Sequence, residues 1–290
     1  MNLIELLQTS PATWIGTCTV LGLVVGSFLN VVVHRLPLML EREWRTQCRE
    51  LLAEGEPVPE EPVLSLSRPG SHCPRCGRPV RALENVPVLS YVWLRGRCAG
   101  CGARISLRYP AVELTAGVLS GIVAWRLGFG WPAAAALVLT WSLIPLSAID
   151  IDRQILPDAI TLPLLWLGLL LSLGGVFVPS ATSIIGAAAG YLSLWTVYHV
   201  FRLVTGKEGM GYGDFKLLAM LGAWLGWQMI PVVILLSSVV GAVTGIALLA
   251  LRRHDRGVPI PFGPYLAAAG WIALLWGHTL VGAYLGWATG

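Results

Sequence analysis

Long apolar runs make up most of this chain, and their lengths predict helices that cross a membrane. About 20 apolar residues are needed to span a bilayer as an α-helix. Eight such runs occur, at residues 12–33, 110–128, 131–149, 158–177, 182–203, 215–228, 230–251 and 264–287. The break near Gly226–Pro231 is the weakest boundary, so seven or nine spans are the alternatives. The first run is long enough to stay as a membrane helix, and no cleavage site of the signal-peptide type is evident near it.

One polar stretch, residues 34–109, interrupts this pattern between the first and second runs. Within it, residues 41–54 have the pattern of a short amphipathic helix, and the Pro- and Glu-rich residues 55–63 are typical of a loop. Of all 290 residues, 55% are hydrophobic and only 12% are charged, whereas a soluble domain is about a quarter charged. The sequence therefore predicts an all-α polytopic membrane protein with a polar segment between helices 1 and 2.

The basic residues predict the orientation of the chain in the membrane. With eight spans, all Lys and Arg residues except Arg126 fall in or beside one set of loops, 34–109, 150–157, 204–214 and 252–263. Basic loops stay in the cytoplasm, so we expect this set to be cytoplasmic and both termini to face the other side. Several tryptophans lie near the proposed span ends, as interfacial anchors do: Trp14, Trp131, Trp227 and Trp287.

Four of the six cysteines form two close pairs within the polar segment. Each pair is a Cys-x-x-Cys followed by glycine, and the four residues are Cys73, Cys76, Cys98 and Cys101. Two such turns supply four thiolates in a tetrahedron, which is typical of a closed structural zinc site. Disulfides or redox pairs are the alternative, and a cytoplasmic position argues against stable disulfides. The other two cysteines, Cys18 and Cys48, have no evident partner.

Acidic residues at span ends are candidates for chemistry. Asp150 and Asp152 end the third run, Asp158 begins the fourth, and Asp214 precedes the sixth behind closely spaced glycines. Two carboxylates in a partly dehydrated site share one proton, so that one acts as acid and the other activates water. The alternative is that they are ordinary edge acids paired with Arg153 and Lys216. These residues alone do not distinguish a protease from a transporter or a channel.

Several motifs together resemble the type IV prepilin peptidases, a family of GxGD-type membrane aspartic peptidases. They extend in order over nearly the whole chain: Gly26–Pro37 (GSFLNVVVHRLP), the two cysteine pairs, Glu84–Pro87 (ENVP), Arg108–Pro110 with Glu113, Asp150–Asp158 (DIDRQILPD), Gly211–Asp214 (GYGD) and Pro259–Pro264 (PIPFGP). A GxGD motif alone is weak, whereas this ensemble is specific.

The resemblance implies a bifunctional enzyme of the bacterial inner membrane. Such an enzyme cuts the leader of type IV prepilins and type II secretion pseudopilins after Gly, on the cytoplasmic side. It then methylates the new amino terminus with S-adenosylmethionine. The family pattern implies that Asp150, which opens the Asp-x-Asp pair, and Asp214 are the peptidase aspartates. Arg153 stands where many relatives have His, a change that we do not expect to abolish cleavage.

This interpretation divides the chain into three segments. Residues 1–33 are the first membrane helix, 34–109 a cytoplasmic zinc-binding segment associated with methyl transfer, and 110–290 a seven-helix peptidase domain. No GxGxxG fingerprint marks a site for the methyl donor, so the residues that bind it stay unassigned. Gly22-x-x-x-Gly26 is interpreted as helix packing, and Glu113 as a buried acid that needs a partner, for which Arg108 is the candidate. No nucleic-acid partner is expected.

Other functions remain as alternatives at this point. A peptidase without methyl transfer would not need the zinc segment, which is present. A proton-coupled transporter would place acids near the middle of the bilayer, where only Glu113 comes close. A membrane scaffold with a zinc module for assembly is the third alternative.

Overall fold

The computed structural model describes residues 2–52, 64–251 and 260–289, and nearly all regular structure in these ranges is helical. Two isolated β-bridges, His72–Pro79 and Arg97–Arg104, are the exception. The α-helices are α1 Leu3–Thr9, α2 Pro11–Leu52, α3 Leu89–Trp93, α4 Arg108–Leu127, α5 Trp131–Arg153, α6 Asp158–Leu173, α7 Ser180–Thr205, α8 Tyr212–Leu225, α9 Ile230–Ala250 and α10 Gly263–Thr289. The prediction of an all-α membrane protein is confirmed.

Each of the eight predicted spans overlaps one of these helices. By length and hydropathy, however, fewer than eight of the described helices can cross a membrane. Five helices are long and apolar enough, those in 11–52, 131–153, 180–205, 227–248 and 263–287, and α6 is a shorter apolar helix. At 1.5 Å per residue, α8 is about 21 Å long, less than the roughly 30 Å of a bilayer core. Helix α4 carries Glu113 and Arg126. The count of eight therefore stays a prediction.

The chain forms two compact units, Met1–Phe129 and Gly130–Gly290. The sequence divided the chain at 109/110 instead, whereas α4 packs against α2 and belongs to the first unit. The roles assigned to the predicted segments stay a prediction. Residues 41–52 continue α2 rather than forming a separate helix, and the predicted loop 55–63 lies outside the described residues.

In the first unit, small residues let α2 and α4 approach closely. A Cβ added at Gly26 would lie 2.7 Å from the Cα of Glu113, and one added at Gly22 would lie 2.6 Å from the carbonyl oxygen of Ala116. On α4, a Cβ added at Gly117 would lie 2.8 Å from the Leu23 side chain. In lipid, helices associate through such close packing because apolar burial alone gives little drive. The interpretation of Gly22-x-x-x-Gly26 as helix packing is confirmed.

In the second unit, α8 is the central helix. Apart from Lys216, every residue from Asp214 to Leu225 is buried, and α8 packs on α6, α7 and α10. Glycines again allow the contact, since a Cβ at Gly190 of α7 would lie 2.5 Å from the carbonyl oxygen of Leu218. The Trp224 indole donates to the Leu164 carbonyl at 2.8 Å. Protein rather than lipid therefore surrounds this short helix.

The α2–α4 contact can be tested with two glycines on one helix. We expect Gly22→Ala to destabilise the protein by about 1–3 kcal/mol, because its new methyl group meets the backbone of α4. Gly16 on α2 has no atom within 4 Å of an added Cβ, so Gly16→Ala should be neutral or stabilising by up to about 1 kcal/mol. Thermal unfolding in detergent measures both variants, and equal stabilities would contradict the packing argument.

Candidate active site and metal centre

Asp150 lies in the last turn of α5 and is held by the start of α10. The residue is only 6% exposed, and its Oδ2 accepts a hydrogen bond from the backbone N–H of Gly263 at 3.0 Å. Gly263 is the first residue of α10, where free N–H groups and the helix dipole favour a negative charge. A Cβ at Gly263 would lie 2.6 Å from the same oxygen. Only glycine permits this approach.

Asp214 lies in the first turn of α8 and is 7% exposed. Its Oδ1 is buried and has no hydrogen-bond partner within the described parts of the chain. A buried polar atom without a partner costs about 1–3 kcal/mol. A catalytic role is one of the reasons for which native proteins keep such an atom.

Both aspartates lie in the second unit, and their surroundings share a residue. Leu156 packs against Gly213, the residue before Asp214, and against Gly263, the residue that donates to Asp150. Its Cβ is 2.9 Å from a Cβ added at Gly213, and its Cδ2 is 3.1 Å from one added at Gly263. The negative charge of Asp150 also acts on the Asp214 carboxyl. The arrangement therefore brings two buried carboxyl groups together, one with an N–H donor and one with a free oxygen, which suits shared-proton acid–base chemistry.

The other two acids at these helix ends have different surroundings. Asp152 is exposed, two residues beyond Asp150 on α5. Asp158, at the start of α6, forms an ion pair of 2.6 Å with Lys216 of α8, and both side chains are partly exposed. Asp158 therefore fits the alternative interpretation, an acid at a helix end in an ion pair. Asp150 and Asp214 do not fit it, because both are buried.

The two cysteine pairs in the first unit fold into matching turns. In each, the first cysteine donates its N–H to the carbonyl five residues on, Cys73 to Arg78 at 2.9 Å and Cys98 to Ala103 at 2.8 Å. The glycine four residues on donates back to the same cysteine. These glycines, Gly77 and Gly102, have φ of 71° and 69°, a conformation that other residues rarely adopt.

Backbone N–H groups prepare the thiols of these turns for a cation. The N–H groups of Cys76 and Arg75 lower the pKa of Cys73 to about 6, and those of Cys101 and Gly100 lower the pKa of Cys98. The N–H of Arg78 lowers the pKa of Cys76, but the three neighbouring cysteine side chains and partial desolvation together raise it to about 11. The four sulfurs repel one another as thiolates unless a cation lies among them.

The spacing of the four sulfurs fits zinc. All four Sγ atoms lie within 4.8 Å of one another, and those of Cys73 and Cys101 are 3.8 Å apart. A tetrahedron with Zn–S bonds of about 2.3 Å has edges of about 3.8 Å. Cys73, Cys76, Cys98 and Cys101 would hold the ion with every position filled, so it would brace the fold rather than bind a reactant.

Arg78 connects this centre to the turn that follows it. Its guanidinium contacts Glu84 at 2.7 Å, and Glu84 also accepts the N–H of Arg81 at 3.2 Å. These donors lower the pKa of Glu84, the Arg81 N–H first and the Arg78 side chain second. The ionised form that they favour is lost as the pH falls through that lowered value. Glu84 thereby fixes the 3₁₀ turn Ala82–Asn85 to the first cysteine turn.

Other residues of the family motifs are also held in the first unit. Asn30 donates to the carbonyl of Tyr109 at 3.1 Å, and Arg35 donates to the carbonyls of Ser65 and Leu66 at 3.1 and 3.3 Å. Glu113 is 8% exposed and accepts the backbone N–H of Val88 at 2.7 Å. The sequence suggested Arg108 as the partner of Glu113, whereas the contact in the structure is this backbone N–H.

An open groove lies beside the second cysteine turn. It encloses about 560 Å³ and is lined by Tyr91, Arg95, Gly96, Arg97, Arg104, Ile105, Ser106 and Leu107. Three arginines disfavour a sulfonium cation, so the groove does not fit the reactive end of S-adenosylmethionine. We assign no pocket for the methyl donor to it.

Two contacts of the candidate active site could not be named from the sequence. The motif Pro259–Pro264 contains Gly263, but only the fold turns its N–H towards Asp150. Leu156 lies in an ordinary apolar position between two aspartates in the sequence. A glycine before a proline at the start of a helix was the available signal for Gly263, while nothing marked Leu156.

Comparisons with known proteins cover both units. Residues 20–127 match the family described as Bacterial Peptidase A24 N-terminal domain, and residues 137–246 match the Type IV leader peptidase family. The gap between the matches contains the division between the two compact units. No solved structure matches the chain.

Curated relatives match over nearly their full length. The chain is 55% identical to a protein of Stutzerimonas stutzeri over 99% of both chains. It is 59% identical to one of Pseudomonas putida, over 97% of this chain and 96% of the relative. A protein of Neisseria gonorrhoeae is 50% identical over 87% of each. All three relatives are named prepilin leader peptidase/N-methyltransferase. The chain therefore belongs to the type IV leader peptidase family, as its motifs predicted, and is a membrane enzyme.

Proposed function

We propose that this protein cleaves the leader of type IV prepilins and type II secretion pseudopilins after Gly and then methylates the new amino terminus. The observation that carries the peptidase activity is the pair of buried carboxyl groups of Asp150 and Asp214, one with a free oxygen. The methyltransferase activity rests on the names of relatives that are 55–59% identical. S-adenosylmethionine supplies the methyl group.

The surroundings of the two aspartates suggest different roles in cleavage. Asp150 already acts as a hydrogen-bond acceptor, for the Gly263 N–H, so we assign it the activation of water. Asp214 has a buried oxygen without a partner, so we assign it the shared proton and the polarisation of the scissile carbonyl. Water attacks while its proton passes to Asp150 and the proton of Asp214 passes to the carbonyl oxygen. Collapse of the tetrahedral intermediate returns a proton to the leaving amine.

The positions of these acids favour a peptidase over a transporter. Asp150 lies in the last turn of α5 and Asp214 in the first turn of α8. A substrate that lies in the bilayer as an apolar helix would reach such helix ends with its polar leader. A proton-coupled transporter needs acids near the membrane midplane, whereas these two lie at helix ends.

We propose that the basic loops face the cytoplasm of a bacterial inner membrane and that both termini face the periplasm. The distribution of Lys and Arg supports this orientation. It also favours an even number of spans, because one span fewer would move the later basic residues to the opposite side.

Asparagine substitutions test the aspartate pair. We expect Asp150→Asn and Asp214→Asn each to lower leader cleavage by at least about 1,000-fold, because the amide neither takes nor gives the proton. Asp152→Asn, on the same helix and exposed, is the matched control and should keep nearly full activity. Gel separation of a purified prepilin and its product measures the rates, and continued cleavage by Asp214→Asn would contradict the assignment.

Metal analysis tests the cysteine centre. We expect one zinc ion per purified chain, measured by inductively coupled plasma mass spectrometry. Cys101→Ser should remove it and lower the thermal stability, because zinc supplies folding free energy to such segments. Cys48→Ser is the matched control, since Cys48 is also exposed but lies on α2, outside the four-sulfur cluster. A metal-free wild-type protein would reject the zinc site.

Reporter fusions test the orientation. An alkaline phosphatase fused after the last residue should be active, because that enzyme needs the periplasm to form its disulfides. A fusion within residues 53–63 should be inactive. The reverse result would overturn the proposed orientation.

A further inference from the structure

Glu113 is a buried carboxylate that the peptidase mechanism does not use. It lies in the second turn of α4, in the unit that does not contain Asp150 and Asp214. Helix α4 is one of the predicted spans, and an ionisable group in a span is expensive to bury and usually functional. With 8% exposure, the carboxylate depends on its few neighbours.

Those neighbours are polar groups of α2 and of the segment after the 3₁₀ turn. The backbone N–H of Val88 donates to Glu113 Oε2 at 2.7 Å, and Ser27 lies near this carboxylate on α2. The Ser27 Oγ lies 3.5 Å from Oδ1 of Asn85. Gly26 beside Ser27 lets α2 come within contact of Glu113. Ser27, Asn85 and Glu113 therefore form one small polar cluster, named here the Glu113 cluster.

The Glu113 cluster has more acceptors than donors. A carboxylate accepts about four hydrogen bonds, and the amide and serine oxygens accept about two each. The donors are fewer: one from the Ser27 hydroxyl, two from the Asn85 amide and one from the Val88 N–H. A ligand with several N–H donors and a positive charge matches this excess. A primary ammonium has three donors and no acceptor.

The backbone next to the cluster is strained. Val88 has φ of 61°, a conformation that costs a β-branched residue about 1–3 kcal/mol and that occurs at functional sites. Two attachments hold the segment in place: the Val88 N–H on Glu113, and the ion pair of Arg78 with Glu84, which ties the turn before it to the cysteine centre. The cysteine centre is thus linked to the turn that carries Asn85, which contacts Ser27.

We propose that the Glu113 cluster binds a primary ammonium group, the amino terminus that leader cleavage frees, and that Glu113 takes its proton before methylation. This inference rests on the proposed methyltransferase activity and names the group that prepares its nucleophile. It also places the binding of the amine in the first unit, apart from the peptidase aspartates.

Proton transfer from the ammonium to Glu113 precedes methyl transfer. One N–H bond of the ammonium breaks, its proton moves to a Glu113 oxygen, and the electron pair stays on nitrogen. The neutral amine then forms a bond to the methyl carbon of the donor, whose carbon–sulfur bond breaks with its electrons going to sulfur. Ser27 and Asn85 hold the amine by its remaining hydrogens.

A glutamine substitution separates proton transfer from structure. Glutamine still accepts the Val88 N–H through its amide oxygen but cannot take a proton. We expect Glu113→Gln to lower methylation at least about 100-fold, as loss of a general base does, while leader cleavage stays within about twofold. Ser120→Ala is the matched control: Ser120 is buried on α4 two turns further on, and its hydroxyl donates to the Ala116 carbonyl of the same helix. It should leave both activities unchanged.

Peptide binding gives a readout that a structural role would not change. A synthetic peptide with the processed amino terminus should bind the wild-type protein at least about tenfold more tightly than its N-acetylated form. Glu113→Gln should remove this preference. If Glu113→Gln instead weakens the binding of S-adenosylmethionine and leaves the peptide preference intact, the cluster binds the ammonium of the methyl donor, and the proposal is overturned.

Chemical labelling covers the case in which Glu113→Gln does not fold. Dicyclohexylcarbodiimide reacts with buried carboxyl groups, and mass spectrometry locates the modified residue. In the wild-type protein, the free-amine peptide should slow the labelling of Glu113, and the acetylated peptide should not. Equal labelling with both peptides, or full methylation by Glu113→Gln, overturns the proposal. A wild-type protein that cleaves but does not methylate would instead reject the methyltransferase part of the proposed function.

Discussion

The close approach of helix backbones through glycine is the constraint on which both units depend. In lipid, apolar burial does not drive helices together, so contact requires small residues. Gly190 brings α7 against α8, and Gly22 and Gly26 bring α2 against α4. Helix α8 is too short to span the bilayer core and is instead enclosed by protein. That enclosure is what allows Asp214 to lie buried at its first turn.

Backbone N–H groups donate to two of the buried carboxylates. Asp150 accepts the N–H of Gly263, and Glu113 accepts the N–H of Val88. In both cases a backbone donor, rather than a basic side chain, meets the acid. A backbone N–H stabilises an acid without neutralising its charge, so the group stays available to exchange a proton. Asp158 has the opposite arrangement, since its partner is the basic side chain of Lys216.

Direct contacts link the cysteine centre to the residues around Glu113. Four sulfurs would fill the coordination of a zinc ion and leave no open site for a reactant. The Arg78–Glu84 pair joins the first cysteine turn to the turn Ala82–Asn85, and the strained Val88 follows that turn. A metal bound by the four sulfurs would therefore brace the segment that carries Asn85 and Val88.

The sequence alone determined the helical membrane class, the cysteine quartet and the family, because apolar run length and short motifs are local properties of the chain. It also selected Asp150 over Asp152, by resemblance, and the burial of Asp150 agrees with that choice. Only the tertiary structure revealed that α4 packs with α2, that α8 is central and that Gly263 and Val88 donate to buried acids. These contacts join residues 25 and 113 positions apart, and the packing of helices, which no local pattern encodes, decides which backbone groups meet.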